Sequence, residues 1–301
     1  MLPFERVAVI GLGLIGSSIA RAIRAEMSTV RVIGHDCDPE VRSRSEALGF
    51  CHDIADSAGA AVTDADLVIL CVPVGAMGTV ATEIAADLPP EAIVSDVGSS
   101  KATVLENLRR ILPKAIIIPG HPVAGTEHSG PEAGFATLFQ GRWCILTPPE
   151  DAPEQAVFRL RSFWEALGAN VDIMDARHHD LVLAVTSHVP HLIAYTIVGT
   201  ASDLEDVTRS EVIKYSAGGF RDFTRIAASD PTMWRDVFLN NKEAVLEILQ
   251  RLTEDLAAMQ RAIRWGDGDT LFEAFSRTRA IRRGIIEQGQ DDALPDFGRK
   301  H

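Results

Sequence analysis

Residues 6–16 read RVAVIGLGLIG, a short apolar run from Arg6 to Ile10 that gives way to glycines at 11, 13 and 16. A helix-forming segment, Ser17 to Arg24, follows at once, and a second apolar run, Val30 to Gly34, leads to His35 and Asp36. Strand, glycine-rich turn, helix, strand and acid form the pattern of a dinucleotide-binding βαβ unit. Gly11 permits the tight turn, Gly13 lets the backbone approach a pyrophosphate with no Cβ between them, and Gly16 lets helix and strand pack closely. The free amides of the helix start, at Leu14 and Ile15, face the phosphates. Asp36 is placed to accept both ribose hydroxyls of NAD. Cys37, Asp38 and Pro39 follow it and supply no arginine for the 2′-phosphate of NADP. NAD is the expected cofactor.

The alternation continues outward from this unit. Pro39 to Leu48 reads as a helix opened by Asp38 and Pro39 and closed by Gly49. Leu67 to Val72 is a continuous apolar run, as expected of a buried parallel strand, and Val72 and Pro73 fall where a cofactor's ribose would lie. A helix over Ala76 to Leu88 and a strand over Ala92 to Val97 come next, ending in DVGSSK (96–101). Ser99 and Ser100 have two compatible readings there: caps of the following helix, or a hydroxyl beside the nicotinamide, since strand C-termini in such sheets line the ligand crevice. Ile116 to Pro119 reads as the strand that delivers His121 into HPVAGTEHSG (121–130). Arg142 to Leu146 and Asn170 to Ile173 read as further strands around a helix, Glu154 to Leu167.

The expected fold is therefore α/β, a Rossmann-type NAD-binding domain over residues 1–174. From Asp175 helical periods dominate, so residues 175–301 are expected to form an all-α substrate and dimerisation domain. A long apolar helix, Leu181 to Ala201, carries TSHVPH (186–191), with Pro190 expected to break it. Two amphipathic helices, Lys242 to Trp265 and Asp269 to Gln288, close the chain ahead of a loose tail, 289–301. Their apolar stripe, which includes Val245, Leu249, Leu252 and Leu256, suits packing within or between subunits.

Composition narrows the function. The chain has 301 residues and a net charge of −13, with no basic block, which argues against a nucleic-acid partner. The four cysteines are scattered with no CxxC pair, as expected of reduced thiols in a cytoplasmic protein rather than of a disulfide frame or zinc knuckle. No uninterrupted apolar run approaches the roughly 18 residues of a membrane span, and Met1 lies too close to the first strand to leave room for a signal peptide.

Nicotinamide chemistry on an alcohol needs a base at the hydroxyl. Of the nine histidines, His35 falls at the ribose site and His128 in a loop, while His52, His178, His179 and His301 lie in polar surroundings with no partner pattern. His121, His188 and His191 remain. His188 and His191 could share a helical face, but no cysteine or carboxylate cluster completes a metal set, and no metal is expected. Arg225, among Phe and Ile, reads equally as a buried ion-pair residue or a carboxylate clamp.

Together the GLGLIG start, DVGSSK, HPVAGTEHSG, TSHVPH and GGFRDFTRIAASDPTMWRD (218–236) resemble the prephenate/arogenate, or cyclohexadienyl, dehydrogenase family of tyrosine biosynthesis, over nearly the whole chain. The resemblance implies NAD-dependent oxidative decarboxylation of a small-molecule substrate, prephenate or arogenate, by a homodimer joined through the helical domain. It implies that His121 is the catalytic histidine at the ring hydroxyl and that Ser99 positions nicotinamide and hydroxyl. It also implies that His191 and Arg225 bind substrate, Arg225 through a carboxylate, with Thr126, Ser187, His188, Gly218 and Trp234 lining the pocket. Glu127 is either a partner for arogenate's ammonium or a surface glutamate. No chorismate mutase or ACT segment flanks these motifs, so a monofunctional enzyme is expected, any tyrosine inhibition acting by competition in the active site.

Two other classes share the opening motif. A β-hydroxyacid dehydrogenase would need a catalytic lysine in the helical half, where Lys214, Lys242 and Lys300 match no such motif. A non-enzymatic NAD-sensing module would have no use for His121, His191 and Arg225 together.

Overall fold

Continuous apolar runs bounded by glycine and proline become parallel strands, because both faces of each must be covered. In the computed structural model, which describes residues 3–126, 128–203 and 218–287, β1 (Arg6–Ile10), β2 (Arg31–His35), β3 (Asp53–Ile54), β4 (Leu67–Leu70), β5 (Ile93–Asp96) and β6 (Ile116–Ile117) form one parallel sheet in the order β3-β2-β1-β4-β5-β6. Helices α1 (Leu14–Glu26), α2 (Pro39–Leu48), α3 (Ala58–Val62), α4 (Met77–Ile84) and α5 (Ala102–Ile111) connect the strands. Val7, Val9, Leu67 and Ile69 face one core with Ile19, Ile23 and Trp164, and Ala8, Ile10, Val68 and Leu70 face the other with Ala81, Ile84 and Leu108. Order reverses between β1 and β4, so the crevice at their carboxyl ends is the expected ligand site.

The strand expected to carry His121 divides in two. Pairing with β5 lasts through Ile118, whose amide donates to the Val94 carbonyl. Pro119 has no N–H to continue the ladder, and its carbonyl instead accepts the Thr147 amide. His121 consequently sits on a separate strand, β7 (Gly120–Pro122), antiparallel to β8 (Trp143–Leu146), which pairs in parallel with β9 (Asn170–Ile173). Helix α6 (Glu154–Ala166) lies between β8 and β9 in the chain.

Beyond β9, α7 (Ala176–Leu183) runs through a π-helical turn (Ala184–His188) into α8 (Val189–Asp203). Pro190 was expected to break this helix. The helix instead widens by one turn ahead of the proline and continues. By length and composition these 28 residues, at a mean hydropathy of 1.6 in the most apolar window, suffice to cross a membrane, contrary to the reading from uninterrupted runs. Their polar residues His179, Asp180 and His188 are buried within the protein, and His179 and Asp180 bond to the nucleotide-binding half. Helices α9 (Gly218–Thr224) and α10 (Pro231–Asn240) follow. The passage from mixed to helical structure falls after β9, whereas packing groups residues 1–245 as one compact unit and 246–301 as another. The second unit holds most of α11 (Lys242–Trp265) and all of α12 (Gly268–Glu287), turned at Gly266 with φ 68°.

A Cβ at Gly16 would lie 1.9 Å from the Gly11 carbonyl oxygen. Gly16→Ala is expected to lower unfolding free energy by about 3 kcal/mol, as for other overpacked sites. Urea unfolding measures it, and a loss below about 0.5 kcal/mol would contradict the close approach.

Candidate active site

The glycine turn and β2 build one side of the crevice. Gly11 has φ 96°, and its amide donates to the His35 carbonyl at 2.7 Å. An added Cβ at Gly13 would meet nothing within 4 Å, and no side chain caps α1 at that residue. An open cradle under uncapped helix amides fits a pyrophosphate. Asp36 is half-buried, with Oδ2 accepting the Leu12 amide at 2.8 Å and Oδ1 the Asp38 amide at 3.0 Å. Those bonds hold a carboxylate with lone pairs to spare for ribose hydroxyls, so these residues fit NAD. Leu14, Ile15 and Val72 are half-buried, and Pro73, just beyond β4, is exposed. His35 turns away, its Nδ1 2.9 Å from the Ala55 carbonyl. An arginine does reach the Asp36 loop from α2: Arg42 donates through Nη1 to the carbonyls of Asp36 and Cys37.

At the end of β5 a buried ion pair organises the turn to α5. Lys101 and Asp96 are both fully buried, and Lys101 Nζ donates to Asp96 Oδ2 and, at 2.7 Å, to the Gly120 carbonyl. Asp96 Oδ2 also accepts the Gly98 amide at 2.8 Å. Burial pushes the Asp96 carboxyl up and the Lys101 ammonium down, while their mutual attraction opposes both shifts. The pair thus ties the Ser99 turn to the residue before His121.

Neither serine caps α5. The cap comes from Asp180 on α7, whose Oδ1 accepts the Lys101 amide at 2.7 Å and whose Oδ2 accepts the Ala102 amide at 2.9 Å. The Ser100 hydroxyl is buried without a partner among the described residues, and Ser99 stays half-buried at the crevice. Asp180 Oδ1 also lies 2.9 Å from His179 Nδ1, and His179 Nε2 lies 2.8 Å from His121 Nδ1. His121 is 8% exposed. Burial above all, then His179, Lys101 and His188, holds its pKa well below 6.5. His179, read from sequence as lying in polar surroundings with no partner pattern, is fully buried, and burial lowers its pKa as well.

Further along the same helix, His188 Nδ1 lies 3.0 Å from Asn241 Nδ2, which also donates to the Asp180 main-chain carbonyl at 2.8 Å. Burial depresses His188 to about 4. His191 stacks on Trp234 with ring centroids 3.7 Å apart, and its Nδ1 donates to the Ser187 carbonyl at 2.8 Å. Burial and then the nearby Arg225 charge lower His191, the Ser187 bond opposing them.

Of the site residues expected from sequence, His121, Ser99, His188, His191, Ser187 and Trp234 thus gather around α7, α8 and α10. Arg225 is exposed rather than buried, at the start of a short 3₁₀ turn. Thr126 and Gly218 are exposed, Thr126 accepting the His128 amide through Oγ1. Glu127, Lys214 and Lys300 lie outside the described residues. Sequence reading missed His179, Asp180 and Asn241. One signal was available for the first two: Ala176, His179, Asp180 and Leu183 make a single buried stripe on α7.

Fold and site together define an NAD-dependent oxidoreductase. A family model described as the nucleotide-binding domain of prephenate dehydrogenase matches residues 19–173, and a second, its dimerization domain, matches 175–277. The chain belongs to the prephenate dehydrogenase family. It is 46% identical to a cyclohexadienyl dehydrogenase of Zymomonas mobilis, over 95% of this chain and 97% of that one. It is 34% identical to a prephenate dehydrogenase of Bacillus subtilis, over 97% and 79% respectively. Among solved structures, an Aquifex aeolicus prephenate dehydrogenase in complex with hydroxyphenyl propionate and NAD+ superposes with a TM-score of 0.87 at 33% identity, over 93% of this chain and 98% of that one.

Replacing Lys101 by Met leaves Asp96 buried and unpaired, and is expected to cost about 3–5 kcal/mol of stability in urea unfolding. The double variant with Asp96→Asn should recover part of that loss. If it recovers none, the ion pair is not what the single change breaks.

Proposed function

We propose that this chain oxidatively decarboxylates prephenate, arogenate or both, using NAD+. The observation that carries the reading is His121, a buried neutral imidazole at the carboxyl end of the sheet and beside the Ser99 turn. The cyclohexadienyl dehydrogenase relative at 46% identity supports the substrate class. NAD+, when bound, takes the hydride of the ring carbinol. His121 removes the hydroxyl proton, so that charge does not build on the oxygen, and Ser99 orients that hydroxyl. The ring carboxylate leaves as CO₂, its bonding electrons enter the ring, and the oxygen recovers a proton as the phenol. Aromatisation supplies the driving force, leaving the protein to orient the hydroxyl and hold the side chain. Arg225 takes the side-chain carboxylate, and His191 on Trp234 walls the pocket with Ser187 and His188. Thr126 and Gly218, both exposed, line its approach.

The proposed division is a nucleotide-binding domain over 1–174 and a substrate and dimerisation domain over 175–301. A homodimer through the helical part is supported by apolar side chains left open to solvent, among them Leu256, Ile263, Phe272 and Phe275, and Val185, Ile197 and Val198 on the π turn and α8. Four unpaired cysteines support a reducing, cytoplasmic setting.

NADH absorbance with each substrate in turn tests the reaction, and no turnover with either would refute it. His121→Asn is expected to lower kcat by about 10²–10⁴ with NAD+ affinity kept. Because the base works neutral and its pKa is depressed, kcat/KM should be flat through neutrality. It should fall as pH drops through a value below 6.5, whereas an acid limb above 6.5 would exclude His121.

A further inference from the structure

His121 does not stand alone as a base. Two backbone amides and one imidazole converge on Asp180, at 2.7, 2.9 and 2.9 Å. Amides can only donate, so the carboxylate is an acceptor throughout, and the proton between Asp180 and His179 belongs to His179 Nδ1. A neutral imidazole carries one N–H. His179 uses its own on Asp180, so its Nε2 presents a lone pair. The proton in the 2.8 Å contact to His121 Nδ1 must then sit on His121, which leaves His121 Nε2 bare.

We infer that His179 and Asp180 are positioning residues that fix the tautomer of His121, so that its Nε2 is the atom that takes the substrate's hydroxyl proton. The inference rests on the proposed dehydrogenase reaction for its purpose and on hydrogen-bond geometry for its content. When Nε2 takes the proton, no second transfer is needed. The imidazolium already donates through Nδ1 to His179, and Asp180 supplies the balancing charge behind it. The groups facing His121 are His179 from α7, Lys101 from the turn before α5, His188 from the π turn, and Cys144, whose thiol approaches the His121 main chain. Those facing His179 are Asp180, Lys101 and Asp96. Lys101 is paired with Asp96, so Asp180, which makes no lysine or arginine ion pair among the described residues, is the anion that stands directly behind the relay.

The two residues also couple the halves of the chain. Asp180 belongs to the second family segment, yet it caps α5 of the first and aligns the base on β7.

Nitrogen NMR of the full-length protein labelled at histidine reads the tautomer directly, with His121→Asn assigning the signal. The wild type is expected to show His121 protonated at Nδ1 and bare at Nε2. In Asp180→Asn the amide oxygen keeps the Lys101 amide and His179 Nδ1–H while the charge behind the relay is lost. The His121 tautomer should therefore be kept, and kcat should fall by about 10²–10³ at little-changed KM. His179→Gln keeps an acceptor for His121 Nδ1–H and should stay within about tenfold of wild type, whereas His179→Leu should lose about 10²-fold in kcat. Wild-type His121 protonated at Nε2 overturns the inference, as do equal losses in the Gln and Leu variants, which would mark a merely structural role. Should loss of the α5 cap unfold Asp180→Asn, the wild-type tautomer and the His179 pair still decide. The NMR needs no substrate, so absent turnover with prephenate and arogenate would refute the proposed reaction without touching the tautomer result.

Discussion

The carboxylate of Asp180 meets two needs at once. Helix α5 starts without a capping side chain of its own, which leaves the Lys101 and Ala102 amides in a buried place. His179 brings a ring N–H into the same space. A buried donor without a partner costs about 1–3 kcal/mol, and a negative charge at a helix N-terminus gains from the dipole as well. One side chain from α7 satisfies all three donors. Asn241, at the end of α10, holds the Asp180 main-chain carbonyl and His188 Nδ1. Two helices from distant parts of the chain, α7 and α10, thus converge on α5, and the geometry around His121 follows from that convergence.

Much of the fold was legible because its constraints are local. Strands buried on both faces must be apolar along their length, and Gly16 must lack a Cβ to let Gly11's carbonyl approach. These demands appear in RVAVIGLGLIG and LVIL without any knowledge of the partner. The split after Ile117 was not legible, since Pro119 reads as a strand end whether the next residues stop or join another sheet. Only the distant Thr147 amide decides it. The site divides in the same way. His121, Ser99, His191 and Trp234 fall in motifs specific enough to carry a family resemblance. His179 sits in ARHHD, a polar neighbourhood that looks like surface. Its burial comes from residues 58 positions away in sequence. The capping reading of the serines failed because the better acceptor, Asp180, arrives from 78 or more positions along the chain.

The helix that carries Asp180 combines two demands. It is apolar enough to satisfy the length and composition of a membrane span, yet its buried polar side chains are those bonded to α5, β7 and Asn241. Its π-helical turn (Ala184–His188) accommodates Pro190, which can donate no amide to the turn before it. Such insertions in otherwise regular helices are frequent at functional sites. Here it falls between the residues that contact α5 and those that face Trp234.

Charge is distributed across the site in a way that suits the proposed reaction. His121, His179, His188 and His191 all have pKa values lowered, with burial the largest cause in each. In the proposed reading His121, His188 and His191 present neutral donors and acceptors to the ring, and His179 stands behind His121. The buried cation, Lys101, is held by Asp96. Arg225 lies exposed, close enough to His191 to depress it electrostatically. A carboxylate destined to leave as neutral CO₂ gains nothing in rate from a tight ion pair, because that pairing is stronger in the ground state than at the transition state. With Arg225 as the cation for the side-chain carboxylate and neutral imidazoles for the ring, as proposed, binding energy is directed to orientation. In that reading no cation is assigned to the ring carboxylate, so the loss of its charge on decarboxylation breaks no ion pair.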